Sequence, residues 1–583
     1  MDLRLLVAEP SEAERDAVDW VLGPPASTNG HAAHGGHEVR EQRHLLLPAL
    51  RAVQRRAGWV SEGALAYVCK RLTVPPAEAY GVASFYALLA LEPRPRRVVH
   101  VCDDLACRLV GGVELCEELE RRSPPGAVHA SPCLGLCDRA PAALVTVAGT
   151  EPAEWAVAPA ALDRLGPNSK APPLPQSGSR ELRLLRRVGV ADPTSLDDYR
   201  VHGGYEPLRR AFELGPESVV AAVTEAKLLG RGGAAFPTGR KWDAVARNPA
   251  RPHFLVCNAD ESEPGTFKDR VLMEQDPFAV LEAVTVAAYA TGCERAYLYV
   301  RGEYPLAHER LEHAIAQARA AGLLEGPDFR LDVEIRIGAG AYICGEETAL
   351  FESIEGKRGE PRNKPPFPVD VGLFGKPTVV NNVETLVNVL EIVRDGGAAF
   401  AATGTAESTG TRLFCVSGHV ERPGLYELEF GATLRDLLEL AGGPARLQAV
   451  LLGGAAGTFL RPDEVDVPLT FEGTRTIGAT LGSGVVMVFD ETADLADTLL
   501  RIAAFFRDES CGQCVPCRVG TVRQEEALHR LAAGRARGDE RATLDELAQA
   551  MRDASICGLG QTAANAVVSA IDRLGVFANG SAQ

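Results

Sequence analysis

The chain has 583 residues, a formal net charge of -17 and a pI of about 5.3. Its 46% hydrophobic and 24% charged residues are the balance of globular domains with sizeable cores, and the length allows several of them. The acidic balance excludes a basic nucleic-acid surface, and no apolar run approaches the ~18 residues that a membrane-spanning helix needs.

Residues 1–20 acquire Glu and Asp too early for a signal peptide, so a cytoplasmic protein with no direct membrane insertion is expected. Residues 1–37 end in a Gly/Pro/His stretch with His31, His34 and His37 and read as a flexible arm. From residue 38, Leu45, Leu46, Leu50 and Val53, then Leu65, Val68 and Leu72, recur at helical spacing. Arg97 to Val101 reads as a strand running into Cys102, and Leu144 to Val147 as another just after Cys137. A small α/β domain over 38–160 is the expectation, followed by a Pro/Gly/Ser linker over 161–180. Residues 181–405 alternate apolar strands (253–257, 296–300, 333–337) with helical stretches (278–291, 305–322, 346–354), an α/β pattern. Residues 406–490 read as a small β-rich domain, and 491–583 as helical.

Fourteen cysteines in an intracellular chain point away from disulfides. Six of them, Cys69, Cys116, Cys257, Cys293, Cys344 and Cys415, are scattered and read as small buried hydrophobes. The other eight form two quartets. Cys102 and Cys107 are spaced C-x4-C, with Cys133 and Cys137 as C-x3-C further on. Two loops must meet for these thiolates to hold one centre, either a 2Fe–2S cluster or a structural zinc. Cys511, Cys514 and Cys517 form C-x2-C-x2-C, with Cys557 distant. Three thiolates on one run and a remote fourth is the pattern of a 4Fe–4S cubane, whereas zinc sites pair cysteines two and two.

The run Leu229 to Trp242 is dense in glycine (Gly230, Gly232, Gly233, Gly239) and carries Arg231 and Lys241. Such a loop lets backbone approach an anion, although it lacks the Gly-Lys-Ser/Thr ending of a Mg-nucleotide loop. A structural glycine loop is the other reading. The strand through Phe254–Cys257 ends in Asn258-Ala259-Asp260-Glu261-Ser262-Glu263, polar residues at the strand end where α/β folds bind ligands. A capped turn explains the same string. Gly338 to Gly345 opens a helix at Glu346 and Glu347, whose carboxylates suit ribose hydroxyls better than phosphate. Lys364 and Phe367 stand among prolines, and Asn381, Asn382 and Thr385 form another polar turn before a helix.

Taken together these strings resemble the flavin-bearing, NADH-oxidising subunit of respiratory complex I over residues 181–583. The matches run in order through Gly230–Gly233, Asn258–Arg270, Gly338–Leu350, Lys364–Pro368, Asn381–Thr385, Glu509–Arg518 and Ser555–Gly560. Residues 38–150 resemble its thioredoxin-like 2Fe–2S partner subunit, on Tyr80–Tyr86 and Cys133–Asp138. The resemblance implies an α/β multidomain chain. Its parts would be a thioredoxin-like 2Fe–2S domain, a Rossmann-like FMN/NAD domain, a β-grasp (SLBB-like) domain and a C-terminal helical bundle with the 4Fe–4S cluster. The fused form resembles the diaphorase subunits of NAD-dependent enzymes. The leading case is the β subunit of molybdenum- or tungsten-dependent formate dehydrogenases, because some of the related hydrogenase subunits have lost first-domain cysteines that all stand here. The chain has no molybdopterin or NiFe site of its own. The implied partner is therefore a catalytic α subunit with molybdopterin and iron–sulfur clusters, or a hydrogenase or complex I iron–sulfur subunit. A zinc-stapled scaffold that binds nucleotide without turnover is the reading from another class.

The resemblance also implies residue roles. The loop Gly230, Arg231, Gly232, Gly233 to Lys241 holds FMN, and Asn258, Asp260, Glu261, Tyr342, Gly345, Glu346, Asn381, Asn382 and Thr385 match flavin-contacting positions. Glu263 matches a carboxylate beside the nicotinamide, and Glu347 one that accepts from the adenosine ribose, which implies NAD over NADP. Lys364 and Phe367 match nucleotide contacts. Two departures stand out: Ala235 replaces a common glycine, and Ala244 replaces an aromatic, leaving one side of the adenine sandwich open.

Overall fold

A computed structural model describes residues 8–25, 41–167, 173–177, 179, 181–326 and 328–577. The expected arm is in part a helix, Glu12–Leu22. Ser11 and Glu14 cap it reciprocally, and Val18 is fully buried where the helix packs on Leu46–Ala57. This corrects the flexible reading for that stretch: the local cap and one apolar face outweigh the Gly/Pro/His composition that follows. His31, His34 and His37 lie outside the described residues.

A four-stranded mixed sheet holds the first cysteine pair, in the order Val128–Ser131, Arg97–Cys102, Ala143–Val147, Ala153–Val157. Arg97–Cys102 runs parallel to its first neighbour and antiparallel to its second. Cys102 thus ends one central strand, while Cys133 and Cys137 follow the adjacent edge strand.

The expected linker is tied down where it is described. Gln176 both donates to and accepts from the Glu427 backbone, at 3.3 and 2.7 Å. Glu427 in turn accepts the backbone N–H groups of Leu184 and Leu185 at 3.0 Å. Buried backbone donors need acceptors, and this carboxylate supplies them.

The second sheet is wholly parallel, in the order Thr378–Asn382, His253–Ala259, Cys293–Val300, Asp332–Ile337. Its apolar strands and the almost entirely buried helix Pro277–Thr291 give it two covered faces. Parallel pairing puts every strand's carboxyl end on one edge. Register sets Asn381 beside Cys257 and Asn382 beside Asn258. A third, five-stranded sheet (Gly424–Glu429, Thr411–Gly418, Val485–Asp490, Leu447–Leu452, Thr458–Leu460) packs its own core against Leu434–Ala441. The helices Leu495–Asp508, Val515–Ala532, Glu540–Ala554, Gly558–Thr562 and Asn565–Leu574 follow. Among the described residues no helix is long and apolar enough to cross a membrane.

Candidate functional site

The carboxyl edge of the parallel sheet gathers most of the expected ligand residues. The glycine loop closes on itself, with the Gly230 N–H donating to Phe236 O at 3.0 Å. It lies against the Thr378–Asn382 strand end: a Cβ on Gly232 would stand 3.1 Å from the Asn382 Cβ, and the Arg231 N–H donates to Thr385 Oγ1 at 2.8 Å. Gly233 at φ +116 and Ala235 at φ +52 make the tight turn, and the second position is one where glycine is unstrained. Asn258 reaches across to the other glycine loop, donating to Gly345 O at 2.8 Å. A Cβ on Gly345 would lie 3.4 Å from Asp260 O.

Several side chains expected to face a cofactor are committed to the chain itself. Arg231 is fully buried. Its guanidinium donates to Leu229 O, Thr409 O and Thr411 O at 3.2, 2.8 and 3.2 Å, and lies 4.7 Å from the Phe430 ring centre. It joins the flavin loop to the third sheet and supplies no charge to an anion. Glu261 accepts the Asp269 and Arg270 N–H groups at 2.8 and 2.9 Å and so starts the helix Lys268–Gln275. The Asn381 oxygen accepts from Trp242 Nε1 at 2.8 Å. Asn382 donates to Asp269 at 2.6 Å and caps the helix Val383–Asp395. These residues shape the cradle, leaving glycine backbone to line it.

Other groups remain available. Asp260 keeps Oδ2 buried without a partner, and burial pushes its carboxyl well above the usual carboxylate range. An orphaned acceptor at a strand end fits a ligand that brings N–H or O–H donors. Glu263 accepts the Ala456 N–H at 2.8 Å and the Tyr342 hydroxyl, and burial pushes it up to about 7. Glu346 caps its helix, taking the Thr348 and Ala349 N–H groups at 2.9 Å. Glu347 receives Lys241 at 3.3 Å and Lys364 at 2.8 Å. Burial works against its ionised form, yet the two lysines hold it below the ordinary value. Phe367 is 53% exposed on the turn that follows Lys364.

The thiols of each quartet lie near one another. Cys511, Cys514, Cys517 and Cys557 line one cavity with Ile343 and Pro361. Four thiols around a cavity suit a four-iron cubane. In the first domain Cys133 Sγ lies 3.3 Å from Cys137 Sγ, and Cys102 is within reach of Cys107 and Cys133. This crowding pushes Cys102 and Cys137 up and pulls Cys133 down. Four such thiols cannot ionise together without cations among them, which suits a 2Fe–2S centre.

Both quartets are tied to the strand-end site. The Tyr342 N–H donates to Glu509 Oε2 at 2.8 Å, two residues before Cys511, while its hydroxyl donates to Glu263. Arg301 donates to Glu261 O and Cys133 O, both at 2.7 Å. Arg270 donates to Gly135 O at 2.8 Å and to Asp138 at 2.9 Å. No local sequence pattern marks either arginine. None marks the buried group of Lys268 either, which meets Asp269 at 2.7 Å and Glu384 at 3.2 Å. Phe236, 44% exposed in the glycine loop with Lys241 Nζ 5.5 Å from its ring centre, is a neighbour of the expected site residues that the sequence reading did not single out; an aromatic in a glycine-rich turn is the signal for it.

Four family models match the chain: the Nuo51 FMN-binding domain over residues 223–391, the NADH-ubiquinone oxidoreductase-F iron-sulfur binding region over 497–575, the thioredoxin-like 2Fe-2S ferredoxin over 33–164, and the SLBB domain over 413–454. The chain is 46% identical over 397 residues to an F-type NADH-quinone oxidoreductase subunit of Rhizobium meliloti (strain 1021), covering 67% of this chain and 94% of that one. It is 42% identical over 413 residues to the NADP-reducing hydrogenase subunit HndC of Solidesulfovibrio fructosivorans, covering 69% and 83%. Among solved structures, a chain of an NAD+-reducing NiFe hydrogenase in the air-oxidized state superposes with a TM-score of 0.80 at 35% identity, covering 93% of this chain and 94% of that one.

Proposed function

We propose that this chain, which belongs to the family of F-type NADH-quinone oxidoreductase subunits, serves as the diaphorase of a larger redox complex and exchanges electrons with a partner that holds the terminal chemistry. It is an NAD-linked oxidoreductase subunit with FMN-binding, 2Fe–2S, SLBB and 4Fe–4S domains. Held by the Gly230–Gly233 loop and the Asn258 and Asn382 strand ends, FMN would supply the chemistry that links two-electron hydride exchange with NAD(H) to one-electron exchange with iron–sulfur clusters. No general acid or base is needed for that step, so the protein's part is to hold, orient and exclude water. Gly230–Gly233 and the Asn258 and Asn382 strand ends provide the cradle. Glu347, kept ionised by Lys241 and Lys364, accepts from ribose hydroxyls and disfavours a 2′-phosphate. Phe367 offers a stacking face for adenine.

The observation that carries this reading is Tyr342. One residue joins the carboxylate Glu263 at the strand-end site to Glu509 beside the tail quartet, and its neighbour Ile343 lines the thiol cavity. A short path between the two redox centres follows. The test is anaerobic reconstitution with FMN and iron: the isolated chain should reduce ferricyanide with NADH. A flavin-loaded sample without that activity overturns the reading.

For the partner, the formate dehydrogenase reading rests on the complete, buried quartet Cys102, Cys107, Cys133 and Cys137. The hydrogenase reading rests on the end-to-end likeness to a chain of an NAD+-reducing NiFe hydrogenase. Purification of the intact complex through this chain separates them. Formate-dependent NAD+ reduction with molybdenum or tungsten favours the first; H2-dependent reduction with nickel favours the second.

A further inference from the structure

A cleft of about 650 Å³, solvent included, lies where the N-terminal helices, the thioredoxin-like sheet and the flavin domain meet. It is separate from the strand-end cradle, and nothing in the electron path uses it. Its lining is strongly cationic: Arg51, Arg55, Arg94 and Arg96, with His100, against the single carboxylate Glu154. Arg55 pairs with Glu154 at 3.5 Å, while Arg51, Arg94 and Arg96 make no direct ion pair among the described residues, with Glu154 and Glu303 the carboxylates nearer Arg51 and Glu92 the one nearer Arg94. Arg51 donates to the Gly338 carbonyl, and Arg96 donates Nε to Ala148 O at 2.8 Å. Arg94 makes no ion pair and no hydrogen bond among the described residues, and Glu92 is its only charged neighbour of consequence. A second observation comes from the cleft wall. His100 is 7% exposed, and its Nδ1 is buried with no partner.

Arg51 and Arg94 are half-buried and Arg96 is exposed; half-buried guanidinium groups without a direct ion pair gain when an anion joins them. Three of them match a ligand of two or more negative charges, and their planar forks suit the paired oxygens of phosphate. The unpartnered His100 Nδ1 adds a further hydrogen-bonding atom at the cleft wall. We propose that this cleft is a binding site for a small phosphate-bearing anion, distinct from the FMN and NAD sites. The ligand would bridge Arg51 of the N-terminal helices and the Arg94–Arg96 strap to the flavin-domain wall at Gly302 and Ala339.

The test uses the FMN- and cluster-loaded protein with NAD+ saturating, so that the nucleotide site is filled. Pyrophosphate, inorganic phosphate, AMP and citrate are titrated by calorimetry at constant ionic strength. One saturable site for pyrophosphate, phosphate or AMP is expected, weakened at least tenfold in Arg94→Gln and retained in Arg94→Lys. NADH–ferricyanide activity should be unchanged in both variants, because Arg94 lies outside the cofactor machinery. Binding by AMP but not by the inorganic ions identifies a nucleotide as the source. The proposal is overturned if no phosphate compound saturates, if citrate alone binds, if saturating NAD+ abolishes the site, or if Arg94→Gln binds as well as the parent.

Discussion

Replacing Arg231 by Met tests whether this residue is a ligand for an anion or a strut between domains. Met keeps much of the volume and removes the guanidinium. Three carbonyls, Leu229 O, Thr409 O and Thr411 O, then lose their donor. Hydrogen bonds from a charged donor contribute roughly 1.5–3 kcal/mol each, and the contact over Phe430 adds about 1–2 kcal/mol when desolvated. Against this stands the cost of keeping the cation buried. Burial lowers its pKa to about 9, with Glu384 opposing the shift and Arg412 adding to it, equivalent to roughly 5 kcal/mol against the charged form. The balance predicts a net loss of about 3 kcal/mol on Arg231→Met. For a flavin domain of about 200 residues that is a fall of roughly 6–12 °C in its unfolding midpoint. Flavin fluorescence during thermal unfolding reads the midpoint, and titration with FMN at 20 °C reads affinity. The strut account expects a large fall in midpoint and a small change in FMN affinity. A midpoint unchanged within 2 °C together with a large loss of FMN affinity would refute it.

Glu263→Gln isolates a carboxyl whose pKa burial raises from the ordinary 4.5 to about 7, with Tyr342 and the Ala456 N–H partly opposing. A raised folded pKa stabilises the fold below the ordinary value and loses that contribution as pH climbs through about 7. The variant should therefore gain on the parent in melting temperature between pH 5 and 8, and a pH-independent difference counts against the assignment. Gly135→Ala adds a Cβ 2.0 Å from the Tyr304 hydroxyl at a residue with φ +66. It should cost about 1–3 kcal/mol at the docking face and slow reduction of the 2Fe–2S signal relative to the flavin, as seen by freeze-quench EPR; parental kinetics would show that this contact is unimportant. Cys557→Ser should remove roughly four irons per chain and the cubane EPR signal while NADH still bleaches the flavin. Undiminished iron would place the fourth ligand elsewhere.

The thiol quartets are legible in the sequence because ligation by a short run constrains spacing directly. C-x2-C-x2-C leaves few alternatives, and the cavity around Cys511, Cys514, Cys517 and Cys557 follows from it. Polar residues after apolar strands likewise mark the sheet edge at Asn258 and Asn382. What the sequence does not disclose is the partner each side chain chooses. An arginine within a glycine loop reads as a phosphate ligand, yet Arg231 finds its carbonyls 178 and 180 residues away. Glu261 reads as a free strand-end carboxylate and instead caps the helix eight residues on. The Ser11–Glu14 cap is readable but lies beside a composition that points to disorder. Buried charges answer to tertiary neighbours, and a local pattern holds no record of these.

Those buried charges decide how rigidly the redox centres are placed. The Cys133–Cys137 loop is held on the flavin side by Arg270 and Arg301. On the helical side Arg501 lies 3.2 Å from Asp103 and 3.4 Å from Asp104, and Asp104 accepts the Cys133 N–H at 3.1 Å. Arg108 reaches Asp497 on the same helix at 2.8 Å. Each arginine crosses a domain boundary, and Arg270 and Arg301 are almost wholly inaccessible. Removing one partner while the interface stays closed would leave its arginine buried without acceptors, a cost of several kcal/mol per broken pair. Surface ion pairs could not enforce this, since they contribute little each. The first quartet is therefore packed against both the flavin domain and the helix Leu495–Asp508. On the proposed diaphorase reading, any electron transfer that involves this quartet would run over distances set by that packing.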